Sequence, residues 1–271
     1  MRASIAALLD DLRTSKPRQA GLTIMIDKGQ MGPHTIADFV GQAGDYCDYA
    51  KIAWGSALIT GNLDEKLEAY RKNNITPMLG GTLFEYAYLR NKVPQLLELV
   101  RDLKVHIEIS DGVIELPRRE KLHWIEKFSK HVEVFSEVGG KIVRQHHNWK
   151  QVIQEELAAG SKKIVVEGRE IGPVGHEVRS DFIETVLAAT PLHNLIFEAF
   201  ERKQQVWLIK KFGPNVNLAN IPPTDLMTLE SFRRGLKEHT LLHIWEMTRE
   251  QAQGDKTAEE NPLKAALSLV G

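Results

Sequence analysis

A regular alternation of short apolar runs with longer amphipathic segments most constrains the fold of this chain. Eight runs have the length and composition of buried strands, and they start near residues 22, 48, 75, 105, 132, 163, 194 and 215. Helical patterns follow over 35–43, 63–73, 83–103 with a break near Asn91, 118–129, 149–159, 181–189, 201–212 and 229–237. Strands that alternate with helices pair in parallel through crossover helices. Eight such units in 271 residues favour an α/β fold of the (β/α)8 TIM-barrel type over an open sheet.

The chain is predicted to form one domain over residues 1–271, because no linker rich in Pro, Ser or Gly divides it. The Gly-x-Gly-x-x-Gly fingerprint does not follow the first run, which argues against a Rossmann fold. Residues 1–20 start with a short apolar run that meets Asp10, Asp11 and Arg13, so we expect an amphipathic N-terminal helix rather than a signal peptide. Residues 249–271 are expected to form a polar, loosely packed C-terminal helical tail.

Composition and charge exclude several classes of protein. The formal net charge is −1, which argues against a general nucleic-acid binder, since such a protein needs a basic face. No segment approaches the roughly 20 apolar residues of a membrane span. Cys47 is the only cysteine, so no intrachain disulfide forms and a reducing compartment fits. We therefore expect a cytoplasmic protein that acts on small molecules.

Ionisable and polar side chains close most of the apolar runs. They are Asp27, Lys28, Lys51, Thr82, Glu108, Glu137, Lys141, Glu167, Arg169, Glu198 and Asn217. In barrels of this type the carboxyl ends of the strands form the active site. Charge at the end of a buried strand is costly unless something compensates it. An internal ion-pair network is one explanation, and a site where carboxylates hold a divalent cation and cations hold an anionic substrate is the other.

The metal in such a site is predicted to be Mg²⁺. The candidate ligands are the oxygen atoms of Glu108, Glu137 and Glu167, and hard oxygen ligands suit Mg²⁺ rather than zinc. His146 and His147 are adjacent and therefore point in different directions, which is poor geometry for a metal. We expect them in a solvated loop.

The sixth run and its loop, KIVVEGREIGPVG from Lys163 to Gly175, carry the densest group of candidate ligands. Strand alternation places Val165, Glu167 and Arg169 on one face, with a glycine-rich loop after them. We predict that Arg169, Gly172 and Gly175 bind substrate, although a surface loop with a salt bridge explains the segment as well. Thr82, after a glycine pair, and Asn217 are the other predicted substrate ligands. The glycine pair fits either a phosphate-binding loop or a plain turn.

Eight segments in order resemble the phosphosulfolactate synthase family: LTIMIDKG, CDYAKIAWGSA, GGTLFEYAY, EISDGVIELP, SEVGGK, VVEGRE, IFEAFERKQQVWLIKKFGPNVNLANI and LESFRRGL. The resemblance runs from Gly21 to Gly235 and implies a (β/α)8 barrel. It also implies a Mg²⁺-dependent carbon–sulfur lyase, working in the synthetic direction, that adds sulfite to phosphoenolpyruvate to give (2R)-phospho-3-sulfolactate. In some organisms this reaction opens a route to coenzyme M. A plant branch linked to heat tolerance is similar to the same family.

The resemblance also implies roles for individual residues. Lys141 matches the lysine of the family's Glu-Val-Gly-x-Lys segment and is the predicted proton donor. Lys51 and Lys28 are the next candidates, and with Arg169 they are expected to balance the charges of phosphate, carboxylate and sulfite. We also expect a homo-oligomer.

Two loops depart from the family pattern, after Lys141 (IVRQHHNW) and after Glu170 (IGPVGHEV), and both are shorter than expected. Two alternatives therefore stay open. One is a related barrel enzyme that uses another phosphorylated acceptor or nucleophile, and the other is a non-catalytic, stress-related homologue.

Overall fold

Eight parallel strands close into one barrel in chain order, as predicted. The computed structural model describes residues 12–140, 148–172 and 177–260, together with residues 4 and 7–9; over 251–260 it describes the backbone alone. The strands are β1 (Thr23–Asp27), β2 (Tyr49–Ile52), β3 (Thr76–Leu79), β4 (His106–Ile109), β5 (Val134–Val138), β6 (Ser161–Val166), β7 (Leu195–Glu198) and β8 (Leu218–Ile221). The barrel closes where β1 pairs with β8, and the α/β TIM-barrel prediction is confirmed.

Helices follow the strands and form the outer layer. They are α1 (Pro33–Ala43), α2 (Leu63–Arg71), α3 (Gly81–Leu89), α4 (Val93–Asp102), α5 (Arg118–Ser129), α6 (Trp149–Ala158), α7 (Gly168–Ile171), α8 (Ser180–Leu187), α9 (Arg202–Phe212), α10 (Leu226–Arg233) and α11 (Leu241–Glu260). The predicted break near Asn91 separates α3 from α4, and Asn91 adopts a left-handed φ of 54° that ends the first helix. None of the helices in the described part of the chain is both long and apolar enough to cross a bilayer.

Two layers of side chains surround the strands. Residues that point outward pack under the helices in one large apolar core. A second, smaller cluster contains one buried residue from each of six strands: Ile24, Met78, Phe135, Val165, Ile196 and Ala219. Because successive side chains of a strand alternate between faces, these residues fill the interior of the barrel. The next inward positions toward the carboxyl ends include Lys51, Glu108, Glu137 and Glu198, so a charged layer lies above the apolar one.

The amino-terminal segment differs from the prediction. Residues 12–20 are not helical, whereas most of residues 1–11 lie outside the described residues. Arg13 is buried and donates to Glu230, to Asn215 Oδ1 at 2.8 Å and to the carbonyl of Gly21 at 3.2 Å. A buried guanidinium needs several acceptors, and those at the amino end of the barrel anchor this segment. At the other terminus α11 enters the predicted tail, and residues 261–271 lie outside the described residues.

Candidate active site

A buried lysine lies between two buried glutamates at the carboxyl ends of the strands. Lys51 Nζ, from β2, is 2.8 Å from Glu108 Oε2 of β4 and 3.2 Å from Glu198 Oε1 of β7. The exposed fractions of these three residues are only 4, 2 and 1%. The three strands are not neighbours, so closure of the barrel is what brings these side chains together.

Buried carboxylates outnumber the lysine in this cluster. Glu137, from β5, joins Glu108 and Glu198, and one oxygen from each of the three lies within 4.8 Å of the others. The sequence predicted Glu167 as the third member, but the structure places Glu198 in this group instead. Glu167 is the N-cap of α7, where its Oε1 accepts from the Arg169 amide at 3.2 Å. Glu198 had the same sequence signal, an acid that closes an apolar strand.

Neighbouring donors orient Glu108 and Glu198. The Gly81 amide donates to Glu108 Oε1 at 3.0 Å, and the Gly168 amide donates to Glu198 Oε2 at 3.3 Å. Asn220 Nδ2 also donates to Glu198 Oε1. Position 81 requires glycine, since a Cβ there would be 2.4 Å from Ser110 Cβ. The Gly81 amide therefore serves Glu108, and it does not support the phosphate-binding alternative for the glycine pair.

The charge on Lys51 is secured by its neighbours. Burial disfavours the ammonium, but Glu108, Glu198 and Glu137 together raise the pKa of Lys51 above its usual value. Lys51 thus stays protonated at neutral pH and is a poor proton donor. The arrangement suits an electrostatic role, in which Lys51 holds two acids at fixed positions.

A cavity of about 420 Å³ opens above this cluster. Its lining residues are Ile26, Lys28, Lys51, Ala53, Trp54, Gly80, Gly81, Thr82, Glu108, Glu167, Arg169, Glu198, Phe200 and Asn220. Seven of the strand-end residues that the sequence singled out are among them: Lys28, Lys51, Thr82, Glu108, Glu167, Arg169 and Glu198. Lys28 is exposed and makes no hydrogen bond or ion pair with another described residue, so its ammonium is available to an anionic ligand. Trp54, Phe200 and Asn220 were not predicted as lining residues. Their sequence signal is limited to their place just after a strand or at its end.

Asn217 is not part of this cavity. It precedes β8, where its Nδ2 donates to the Leu195 carbonyl at 2.9 Å and its Oδ1 accepts from the Leu22 amide at 2.9 Å. The eighth strand starts three residues later than its predicted start near 215. This shift moves Asn217 to the amino end of the barrel and places Asn220 at the carboxyl end.

Two predicted features of the sixth run also change. Arg169 does not continue β6, because α7 begins at Gly168, yet its side chain still reaches the cavity. Gly172 does not line the cavity, and its carbonyl accepts from Gln204 Nε2 at 2.9 Å. Lys141, Gly175, His146 and His147 lie outside the described residues.

Asp27 closes β1 but has a structural role. Its Oδ2 lies 2.7 Å from Lys66 Nζ and accepts from the Tyr70 hydroxyl at 2.7 Å. These contacts tie the end of β1 to α2 rather than to the cavity. An internal ion pair therefore accounts for Asp27, while the acids around Lys51 exceed what their cation balances.

Known proteins with similar sequences extend over most of this chain. A sequence model of the (2R)-phospho-3-sulfolactate synthase (ComA) family matches residues 11–239. The phosphosulfolactate synthase of Bacillus subtilis is 36% identical over 241 residues, which is 84% of this chain and 95% of that protein. The phosphosulfolactate synthase of Methanothermobacter thermautotrophicus is 36% identical over 244 residues, or 84% and 94%. Protein HEAT-STRESS-ASSOCIATED 32 of Arabidopsis thaliana matches only 28% of this chain, at 32% identity.

Solved structures with a similar fold are distant in sequence. An HpcH/HpaI aldolase/citrate lyase family protein from Burkholderia cenocepacia superposes with a TM-score of 0.54 at 11% identity, over 82% of this chain and 96% of that one. The dihydrodipicolinate synthase of Agrobacterium tumefaciens gives 0.52 at 9% identity, over 93% and 88%. Identities this low support the barrel fold alone. The match over residues 11–239 is the stronger finding, and by it this chain belongs to the (2R)-phospho-3-sulfolactate synthase family.

Proposed function

We propose that this protein is a phosphosulfolactate synthase that adds sulfite to phosphoenolpyruvate and forms (2R)-phospho-3-sulfolactate. The observation that carries the proposal is the excess of buried carboxylates around Lys51, in a chain that matches this family over residues 11–239. Burying several carboxylates beside one lysine destabilises the fold, because one ammonium does not offset the desolvation of three acids. A purely structural or stress-related barrel has no use for such a cluster, whereas an enzyme of anionic substrates does.

The carboxylates fit a magnesium ion. Glu108, Glu137 and Glu198 each offer a hard oxygen, and the three oxygens lie within 4.8 Å of one another. Three carboxylates with one ammonium leave two negative charges, which a divalent cation balances. These three residues would hold Mg²⁺. When bound, the ion supplies Lewis-acid stabilisation of the charge that develops beside the substrate carboxylate.

The reaction needs the following electron and proton movements. The lone pair of the sulfite sulfur forms a bond to the methylene carbon, and the C=C π pair moves to C2. The carbanion at C2 then takes one proton, and the phosphate stays in place. Lys51 is held protonated by the neighbouring glutamates. We therefore propose Lys141, the third residue after β5, as the proton donor, because it matches the lysine of the family's Glu-Val-Gly-x-Lys segment.

Two cations are proposed to bind the anionic groups of the substrates. Lys28, directly after β1, and Arg169, in α7, both line the cavity, and Lys28 has no partner among the described residues. An ammonium that is not already paired binds a phosphate, carboxylate or sulfite oxygen without first breaking a contact. Lys51 contributes by fixing Glu108 and Glu198.

The test is direct assay of the purified protein with phosphoenolpyruvate, sulfite and Mg²⁺, followed by ³¹P NMR. We expect a new phosphate-ester resonance that depends on sulfite and disappears with excess EDTA. Recovery of unchanged phosphoenolpyruvate at millimolar substrate would overturn the proposal. Turnover with another nucleophile and none with sulfite would favour the alternative barrel enzyme.

The proton donor is tested separately. Lys141→Ala should lower kcat by about 10²–10⁴-fold while phosphoenolpyruvate still binds. Lys210→Ala, at an exposed position of α9, is the matched control and should keep wild-type turnover. Wild-type kcat in Lys141→Ala would transfer the role to Lys28. Location in the cytoplasm and assembly into a homo-oligomer remain predictions from the sequence, and cell fractionation and sedimentation test them.

A further inference from the structure

Two aromatic side chains stand exposed at the mouth of the charged cavity. Trp54 follows β2 and Phe200 follows β7, and both line the cavity. Their exposed fractions are 54 and 38%, which are large for residues of this size beside a buried site. In the closed barrel β8 and β1 lie between these two strands, with Asn220 and Lys28 at their ends.

The backbone of Trp54 is strained. Its φ is 53°, and among the described non-glycine residues with positive φ it is the only aromatic one, the others being Asn74, Asn91, Lys104 and Asn220. The left-handed region is unfavourable for a bulky side chain, and glycine would adopt it without cost. The turn is also confined, because Ser56 donates to the Ala53 carbonyl from both its amide and its hydroxyl. Position 54 thus combines backbone strain with an exposed indole, and neither favours folding.

Phe200 is held in place by its neighbour. A Cβ at Gly168 would lie 2.9 Å from the Phe200 ring, so the ring packs directly on the backbone of α7. The same Gly168 amide donates to Glu198 Oε2. The ring therefore has a fixed position relative to the carboxylate cluster, and it presents its remaining surface to the cavity.

We propose that Trp54 and Phe200 are specificity-determining residues that hold the planar part of an enol-phosphate substrate by its faces. This inference rests on the function proposed above. The C=C bond of phosphoenolpyruvate holds C1, C2, C3, the ester oxygen on C2 and the two hydrogens on C3 in one plane. In this arrangement the two rings cover the faces of that plane while the charged groups reach Lys28, Arg169 and the acid cluster. After addition C2 is tetrahedral and no longer fits between flat surfaces. The aromatic rim thus selects an sp² acceptor and favours release of the sp³ product.

The test compares a planar with a tetrahedral ligand by calorimetry in the absence of sulfite. The ligands are phosphoenolpyruvate and 2-phospholactate, which carry the same anionic groups. Trp54→Leu should raise the Kd for phosphoenolpyruvate about 3- to 10-fold and that for 2-phospholactate less than about 2-fold. Phe200→Leu should act in the same direction. Trp54→Phe keeps a flat ring and should stay close to the wild type.

The control is Trp245→Leu, since Trp245 is also half exposed but lies on α11, away from the cavity. Equal losses for both ligands, or no loss, would overturn the proposal. So would a change in sedimentation of Trp54→Leu with unchanged affinity, because Trp54 would then belong to a contact between copies of the chain. If Trp54→Leu is unfolded, Phe200→Leu decides: equal losses of affinity for both ligands, or no loss, contradict a role for planarity.

This outcome is separable from that of the proposed function. Wild-type protein that binds phosphoenolpyruvate through Trp54 but forms no sulfonate would refute the synthase and leave the aromatic rim. Wild-type protein that forms the sulfonate while Trp54→Leu binds both ligands normally would refute the rim alone. Failure of the wild type to bind phosphoenolpyruvate refutes both.

Discussion

The two ends of the barrel carry cavities of similar size, but their charged side chains are paired to different extents. The cavity at the carboxyl ends measures about 420 Å³, and the one at the amino ends about 390 Å³. At the amino end Arg18 lies 3.0 Å from Asp48 Oδ1, and Lys16 Nζ donates to the carbonyls of Gly44 and Asn74 at 2.9 and 3.1 Å. At the carboxyl end Lys51 pairs with Glu108 and Glu198, and Glu137 lies beside these two acids. The Lys28 ammonium has no partner among the described residues.

The difference shows that cavity volume does not identify a site, whereas charge balance does. The charged groups of Arg18 and Lys16 at the amino end already contact other groups of the fold, so a ligand there has to displace existing contacts. The carboxyl end has more glutamates than Lys51 balances, together with the Lys28 ammonium. These groups do not stabilise the fold, and we expect them to bind a metal ion and an anionic substrate. Substitutions should therefore cost stability at the amino end and activity at the carboxyl end, with Lys51 as the residue that serves both.

The largest effect is expected for Lys51→Met. Removing the ammonium leaves Glu108 and Glu198 buried without their cation, and breaking a buried pair costs about 3–5 kcal/mol. Urea unfolding without Mg²⁺ measures this loss, and added Mg²⁺ should restore more stability to the variant than to the wild type. Lys16→Met is the matched control at the amino end, since its contacts are to carbonyl groups. Equal stability of Lys51→Met and wild type would show that the cluster is not charged as described.

The next effect concerns activity alone. Glu137→Gln should lower kcat/KM by at least about 100-fold, because the proposed Lewis-acid stabilisation by the metal is worth several kcal/mol. Lys51 keeps both of its glutamates, so the melting temperature should change little. Steady-state kinetics with a Mg²⁺ titration is the measurement, and Glu126→Gln on the surface of α5 is the control. Full turnover in Glu137→Gln would remove it from the proposed metal site.

Asn217 and Asn220 allow a direct comparison of the two ends of the barrel, because they lie at opposite ends of β8. Asn217→Ala loses hydrogen bonds to buried backbone groups and should cost about 1–3 kcal/mol of unfolding free energy without changing KM. Asn220→Ala loses a contact to Glu198 and should lower turnover more than stability. Chemical denaturation and kinetics on both variants test the pair. An increased KM in Asn217→Ala would restore the role that the sequence predicted for it.

The smallest effect is a pH dependence at the amino end. Burial favours the neutral form of Glu230, but Arg13 and Arg233 outweigh it and lower the pKa of Glu230 below 4.5. A lowered folded-state pKa contributes stability that is present above the unfolded value and is lost as the pH falls. The stability difference between wild type and Glu230→Gln should therefore shrink below about pH 4.5 in urea titrations. A difference that stays constant to pH 3 would contradict this account.

Lys51 should give the opposite pH dependence, with a loss of stability at high pH. Its pKa is raised, so its contribution is complete below the usual lysine value of 10.5 and is lost only as the pH rises above it. The difference between wild type and Lys51→Met should hold from neutral pH to about pH 10 and decline beyond. Acid thus weakens the Glu230 contact and strong base the Lys51 contact.

Local pattern was sufficient for the elements and for the type of chemistry. Runs of β-branched residues that alternate with amphipathic segments encode strands and helices through near-neighbour contacts, and all eight strands and the helix break near Asn91 followed from them. The acids that close the strands were equally visible, because a charge after an apolar run needs only the primary sequence to be noticed. Residues 141–147 and 173–176, which include Lys141 and Gly175, lie outside the described part of the chain.

Tertiary structure alone decided which of these residues meet. Lys51, Glu108 and Glu198 come from strands that are far apart in sequence, and only closure of the barrel places one oxygen of each glutamate within 3.2 Å of Lys51 Nζ. A shift of three residues in the start of β8 exchanged Asn217 for Asn220, since the side chains of a strand alternate and its two ends serve different cavities. Partner choice and strand register depend on contacts over the whole chain, and so the sequence by itself determined the barrel and its acids but not the site they form.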